Sequence, residues 1–351
     1  MARHGGSARP LKVVVIERNK TQCNLLRRVL EAEGDLAVVA VASGAKDGVA
    51  AVKQARPDVV TLDLQIEGGG IEAIAEIMRG RATPILVLSV AVQGMWRTRA
   101  VDALAAGAAD VLPKPLRWDA QAEAALRDRV RAIGRVRLGT PPPPPVEPPP
   151  VIGSPSVTKV VAMAASTGGP AALARVLGGL AALPAPVLVV QHLHPDFMSG
   201  FVTWLNRVSA LPVKAARSGE HPRAGVVYVA PGGAHLRLGG RATLTLDPEP
   251  PRIHRPSADE LFESVAAAAG ADAVGVLLTG MGTDGAAGLL AIHNRGGTTI
   301  VQDEATSAVF GMPRAAIQAK AADRVVPLDD VAGAVRAAVG RSTSAARSRA
   351  R

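Results

Sequence analysis

From Leu11 onward the chain alternates short apolar runs with longer stretches of helical character. Lys12–Ile16, Leu36–Ala42, Val59–Leu64, Ile85–Val90 and Ala109–Leu112 are dominated by Val, Ile, Leu and Ala and have the length of strands. Between and after them, Thr21–Glu33, Ala45–Gln54, Ile71–Arg79, Val101–Ala106 and Trp118–Ile133 carry apolar residues at helical spacing. Strands that alternate with helices in this way predict a doubly wound parallel sheet. Prolines 141–145 and 148–150 then interrupt any regular packing and prefer an extended, semi-rigid form, so 135–156 reads as a linker or as a docking motif for a proline-binding partner. Alternation resumes near Val157. Strands are expected at Val160–Ala164, Val187–Val190, Val226–Val229, Val274–Leu278 and Thr298–Val301. Helices are expected at Ala171–Leu180, Phe197–Val208, Ala258–Ala269, Gly285–His293 and Pro313–Ala319, with a hairpin from His235–Leu238 and Ala242–Leu246. The predicted fold class is α/β: two doubly wound parallel-sheet domains at 11–134 and 157–340, joined by the linker and flanked by disordered tails at 1–10 and 341–351.

A length of 351 residues suits two domains. Aromatics are scarce at 2%, so Ala, Val and Leu must fill the cores. The net charge of +10 suggests a polyanion partner until it is located. The excess sits in Arg3 and Arg9, around the linker (Arg127, Arg129, Arg131, Arg135, Arg137) and at the end (Arg341, Arg347, Arg349, Arg351). No predicted recognition helix carries it and aromatics do not interleave with it, which fits solvated tails and not nucleic-acid binding. Cys23 is the only cysteine, which excludes an intrachain disulfide and a cysteine metal cluster and fits a reducing cytoplasm. No secretory h-region and no apolar run of membrane-spanning length occurs, so a cytoplasmic protein without membrane insertion is expected.

Candidate chemistry collects at strand ends of the second domain. In Val160–Pro170, Gly168 and Gly169 permit a tight turn and Pro170 suits the first turn of a helix. Ser166 would then face unpaired N–H groups at a helix N-terminus, as a nucleophile or as a helix cap. Val187–Gln191 runs into His192, and Val274–Thr279 runs into Gly280-Met-Gly-Thr-Asp284-Gly before the next helix. In a parallel sheet the C-terminal strand ends share one edge, so Ser166, His192 and Asp284 can converge as nucleophile, general base and orienting carboxylate. Taken singly, His192 also reads as a satisfied strand-end histidine and Asp284 as a helix N-cap. The Gly-Met-Gly loop offers backbone N–H groups to an oxyanion. His194, before Pro195, is expected in a loop, and His235, after a Pro-Gly-Gly-Ala turn, is expected to line the cleft without moving protons. No His/Asp/Glu grouping has convincing metal-ligand spacing.

These residues carry a resemblance. Ala165-Ser-Thr-Gly-Gly-Pro170, Gln191-His192, Val229-Ala-Pro-Gly-Gly-Ala-His235, Arg255-Pro-Ser257 and Leu278-Thr-Gly-Met-Gly-Thr-Asp-Gly285 resemble the catalytic domain of the CheB family of chemotaxis protein-glutamate methylesterases. Gly296–Ile300, Gln302–Ser307 and Phe310–Arg314 extend the likeness. It implies Ser166 as nucleophile, His192 as base, Asp284 as its orienter, and backbone N–H groups near Thr167 and Met281 as oxyanion donors. The implied reaction is hydrolysis of glutamate γ-methyl esters on methylated chemoreceptors with release of methanol, and deamidation of receptor glutamines, with no cofactor. Residues 11–133 resemble the response-regulator receiver that precedes this esterase. There Asp63 matches the phosphoacceptor, Ser89 the switch hydroxyl and Lys114 the lysine that pairs with the phosphoryl group, its bond to Pro115 being cis in the family. A chemotaxis histidine kinase is the implied phosphodonor. The family holds Mg²⁺ with two adjacent acids after the first strand; here the pair is Glu17 and Arg18, and a guanidinium offers no oxygen. Arg18 is expected to repel Mg²⁺ while partly neutralising Asp63. Weak or absent Mg²⁺-dependent phosphorylation is expected, set against a working phosphoswitch, since Asp63, Ser89 and Lys114 remain. A non-catalytic signalling adaptor that docks through the receiver-like domain is the alternative to an esterase.

Overall fold

The structure, a computed structural model, describes residues 9–89, 96–115, 117–134 and 159–340. The expected linker at 135–156, the C-terminal tail and most of the N-terminal tail lie outside the described residues. The chain divides into two compact units, Met1–Leu138 and Gly139–Arg351.

In the first unit the Val-rich runs become β1 (Leu11–Ile16), β2 (Leu36–Ala42), β3 (Val59–Asp63), β4 (Ile85–Ser89) and β5 (Asp110–Pro113). The helices are α1 (Lys20–Glu31), α2 (Ala45–Ala55), α3 (Gly70–Gly80), α4 (Trp96–Ala105) and α5 (Ala120–Gly134). The strands pair in parallel in the order β2-β1-β3-β4-β5. Every residue of β3 and β4 is buried, which is what helices on both faces of a parallel sheet impose. The edge strand β2 leaves Val39 and Val41 exposed. Helix α4 starts at Trp96, earlier than the periodicity indicates. The Lys114–Pro115 bond departs from the cis expectation: the cis bonds among the described residues are Glu249–Pro250 and Arg255–Pro256.

The second unit contains β6 (Val160–Ala165), β7 (Val187–Gln191), β8 (Val213–Ala215), β9 (Val227–Val229), β12 (Ala273–Leu277), β13 (Thr298–Gln302) and β14 (Arg324–Val326), in the parallel order β14-β13-β12-β6-β7-β9-β8, with β10 (His235–Gly239) and β11 (Thr243–Asp247) as a separate antiparallel hairpin. Helices α6 (Gly169–Gly178), α7 (Pro195–Val208), α8 (Ala258–Ala269), α9 (Ala286–Asn294), α10 (Met312–Gln318) and α11 (Leu328–Gly340) complete it. The sequence reading contains neither the three-residue edge strands β8 and β14 nor α11. Phe262 and Leu261 of α8 are fully buried against the sheet and the hairpin's Leu236 and Leu244, each such side chain contributing about 1.5–3 kcal/mol by burial. No described helix is long and apolar enough to cross a membrane.

Strand β6 lies between β7 and β12, and the chain leaves it in opposite directions to build the two halves of the sheet. That reversal opens a crevice at the C-terminal strand ends. The turn from β6 into α6 is built by Gly168, whose φ of +75° suits glycine, with Pro170 in the first helical turn. At Gly169 an added Cβ would lie 2.1 Å from Gln191 Oε1 and 2.7 Å from Ala165 Cβ. Gly169→Ala is therefore expected to destabilise the second unit by about 1–3 kcal/mol, read as a lower transition in scanning calorimetry. An unchanged transition would show that the turn has slack that this packing denies.

Candidate active site

Ser166, His192 and Asp284 follow β6, β7 and β12, which are adjacent strands. Ala165 pairs with Gln191 across β6 and β7, and His192 N donates to Ala165 O at 3.0 Å, so the serine and the histidine leave neighbouring strands at the same level. The Ser166 backbone is fixed on three sides: its N–H donates to Thr279 O (3.0 Å), and its carbonyl accepts from Gly169 N (2.8 Å) and Gln191 Nε2 (2.8 Å). Its Oγ makes no hydrogen bond with a described residue, so no Ser166–His192 bond is present.

His192 Nε2 and Asp284 Oδ2 are 2.8 Å apart. The carboxylate also accepts from Ser257 Oγ (2.8 Å), Ala258 N (2.7 Å) and Asp259 N (3.0 Å). These last donors form the N-terminus of α8, whose N-cap is Ser257. Read singly as a helix N-cap, Asp284 does accept from a helix N-terminus, that of α8, while Gly285 is the N-cap of α9. Asp259 returns the arrangement, its Oδ1 accepting from Gly285 N (2.9 Å) and Gly288 N (2.8 Å) at the start of α9. Burial pushes the Asp284 carboxyl up, but the His192 hydrogen bond and charge together with the α8 amides outweigh it and hold the acid well below the usual carboxylate range. Asp259 goes the other way. Burial first, and the Asp284 charge next to it, raise it to about 6 against the pull of its own amide donors. With Nε2 on the carboxylate, His192 Nδ1 is buried and has no partner; it is the ring nitrogen left to accept a proton.

Met281 stands in the turn after β12 and is 36% exposed. The Gly280 carbonyl in front of it accepts from Gly311 N (3.0 Å) and Met312 N (2.9 Å). Because a trans peptide is planar, with N–H opposite C=O, this turns the Met281 N–H away from the Gly311 turn, and it donates to no described residue. Gly311 makes the close approach possible, since a Cβ there would lie 2.7 Å from Gly280 O. Thr167 is buried, its carbonyl accepting from Thr279 Oγ1 (2.9 Å).

His194 is the N-cap of α7, with Asp196 N donating to its Nδ1 at 3.4 Å, in the loop where it was expected. His235 does not line the cleft. It is 0% exposed, donating through Nε2 to Pro250 O (2.9 Å) and accepting at Nδ1 from Ser257 N (3.0 Å), so both nitrogens are consumed inside the fold. Sequence reasoning missed Gln191, His254, Ser257 and Asp259 as site-building residues. The Gln191-His192 and Arg255-Pro-Ser257 motifs pointed near them without giving them a role.

In the first unit Glu17, Asp63, Ser89 and Lys114 come together at the strand ends of the five-stranded sheet, the first three buried. Lys114 Nζ lies 2.5 Å from Glu17 Oε2 and 2.8 Å from Asp63 Oδ2. Lys114 N donates to Ser89 O at 2.7 Å. Arg18 does not neutralise Asp63 as expected. It is exposed, where its guanidinium stays hydrated, and donates to Gln65 Oε1 at 3.3 Å, while Lys114 supplies the counter-charge. A magnesium ion wants an octahedral set of oxygens. Here two carboxylates share one ammonium, and Arg18, next to Glu17 in the chain, offers no oxygen. Among the described residues no group of three or more His, Cys, Asp or Glu is placed to hold a metal.

Comparison with known proteins agrees with both halves. Residues 161–335 match the model of the CheB methylesterase family and residues 13–126 that of the response regulator receiver domain. A protein-glutamate methylesterase/protein-glutamine glutaminase of Anaeromyxobacter dehalogenans is 42% identical over 336 residues, which cover 94% of this chain and 98% of that one. One from Myxococcus xanthus is 41% identical over 93% of this chain and 96% of its own. The CheB methylesterase catalytic domain of Thermotoga maritima, a crystal structure, is 36% identical with a TM-score of 0.49, covering 51% of this chain and 97% of that one.

The raised Asp259 gives a stability test. Its ionised form is disfavoured in the folded chain, so the cost is absent below about pH 4, grows as pH rises toward 6 and stands in full above that. Asp259→Asn keeps an oxygen for Gly285 N and Gly288 N without the charge. It is expected to be more stable than the parent at pH 7.5 by on the order of 1–2 kcal/mol, with the difference vanishing near pH 4. Unfolding midpoints measured across that range decide it; parallel curves would show that Asp259 carries no such cost.

Proposed function

The chain belongs to the CheB methylesterase family, with a response-regulator receiver ahead of the catalytic domain, and from this premise we propose how its own residues perform the reaction. The protein is a protein-glutamate methylesterase/protein-glutamine glutaminase regulated by its receiver domain. Ser166 Oγ attacks the γ-carbonyl of a methylated glutamate and His192 Nδ1 takes its proton. The Met281 and Thr167 N–H groups hold the oxyanion, and collapse expels methanol after the imidazolium returns the proton. Water then enters by the same route in reverse and frees the carboxylate. With a glutamine side chain the leaving group is ammonia and the steps are otherwise the same. Asp284 stays ionised throughout, fixes the tautomer and stabilises the imidazolium. No cofactor takes part. The observation that carries this reading is the His192–Asp284 pair at the strand end beside Ser166. The Ser166–His192 contact forms when substrate fills the crevice, as catalytic contacts open in unliganded sites commonly do.

The substrates are methylated chemoreceptors, met in the cytoplasm, and a chemotaxis histidine kinase is the partner of the receiver. The fit of Glu17, Arg18, Asp63 and Lys114 supports a receiver in which Mg²⁺-dependent phosphorylation of Asp63 is weak, so that its control of the esterase depends less on phosphate than in relatives with two acids. An adaptor without catalysis has no use for a carboxylate held ionised under a histidine.

Two experiments test these readings. Ser166→Ala in the full chain should lower methanol release from methylated receptor membranes at least about a thousandfold; an active variant would remove the serine mechanism and promote the adaptor. With a cognate kinase and labelled ATP, the parent chain should take up little label at Asp63, and Arg18→Asp should gain Mg²⁺-dependent label. Stoichiometric, Mg²⁺-dependent labelling of the parent would refute the weak-site reading.

A further inference from the structure

We propose that His254 is a positioning residue for the hydrolysis, held over His192 by a strap of chain that His235 clamps; this rests on the reading of Ser166 and His192 given above. The His254 and His192 rings lie face to face, with centroids 4.1 Å apart and planes 14° from parallel. The polar contacts of His192 do not fix its ring by themselves, because Nε2 is tied to Asp284 while Nδ1 has no partner. A ring anchored at one nitrogen can swing about that contact and about its own Cβ–Cγ bond, whose torsional wells are broad. A flat ring packed against its face removes that swing and keeps water from it, consistent with a His192 side chain only 5% exposed.

The strap is Pro250–Ser257. Both of its ends are tied to one buried imidazole, with His235 Nε2 on Pro250 O at 2.9 Å and Ser257 N on His235 Nδ1 at 3.0 Å. A carbonyl only accepts and an amide only donates, so this bonding fixes His235 as the neutral Nε2–H tautomer. Arg252 Nε adds a tie to Glu260 Oε1 at 2.8 Å, and Gly233 N donates to Arg255 O at 3.3 Å. Ile253 between them is 99% exposed, so the strap is pinned on both sides of a solvent-facing tip while the next residue turns inward to the catalytic imidazole. The strap ends at Ser257, whose Oγ donates to Asp284 Oδ1 at 2.8 Å. One segment thus sets both neighbours of His192: the ring on its face and the acid at its edge.

The test uses the full chain with methylated receptor membranes and methanol release as readout. His254→Ala should lower kcat about tenfold with KM unchanged, since the loss is in orientation of the base and not in binding. His254→Phe, which keeps a flat ring, should recover kcat to within about threefold. His254→Leu, of similar bulk and no flat face, should not. Unchanged kcat in His254→Ala, a change in KM alone, or equal rates for the Phe and Leu variants would overturn the proposal. The Phe and Leu pair decides the matter if the Ala variant folds poorly. Ser166→Ala run alongside separates the two readings. If it stays active, the serine mechanism fails and the positioning role falls with it; if it is silent while His254→Ala is unaffected, the positioning role alone is wrong.

Discussion

The Asp284 carboxylate is the group on which the second unit turns. A buried charge costs several kcal/mol unless its neighbours replace water. Here the replacement is three donors from the start of α8 and one ring nitrogen. Among the described residues no Lys or Arg is paired with it, so the charge rests on the α8 donors and on His192. An imidazolium formed during attack meets a counter-ion already in place, with no reorganisation left to do. The same contacts join three stretches far apart in the chain: the end of β7, the start of α8 and the turn before α9. Asp259 braces the pair of helices from the other side at its own electrostatic cost.

The first unit solves a similar problem differently. Glu17 and Asp63 are both buried at strand ends, and one ammonium, Lys114, lies within hydrogen-bonding reach of both. Removing that ammonium would leave two uncompensated carboxylates, which is far costlier than the pair is stabilising. A phosphoryl group on Asp63 would add negative charge where Lys114 is already shared with Glu17. Arg18, the nearest arginine in sequence to Glu17, is turned to Gln65 and not to Asp63.

Most of the architecture was legible because parallel strands buried on both faces are written as near-continuous apolar runs, as in Val160–Ala165 and Val59–Leu62. What bounds those runs, Ser166, His192 and Asp63, stands out for the same reason. β8 and β14 were illegible: three residues at a sheet edge have no period to read. α11 was legible in Val331, Ala332, Val335 and Ala338 at helical spacing after acidic Asp329 and Asp330, and the reading stopped short of it. The errors in the sites share one cause. Sequence logic is local, so it gave Asp63's counter-charge to Arg18 and a place in the cleft to His235. Each of those choices depends on which strand ends become neighbours and which way a side chain turns, and neither is encoded near the residue. His254 escaped notice because a ring that leans on another leaves no spacing in the sequence.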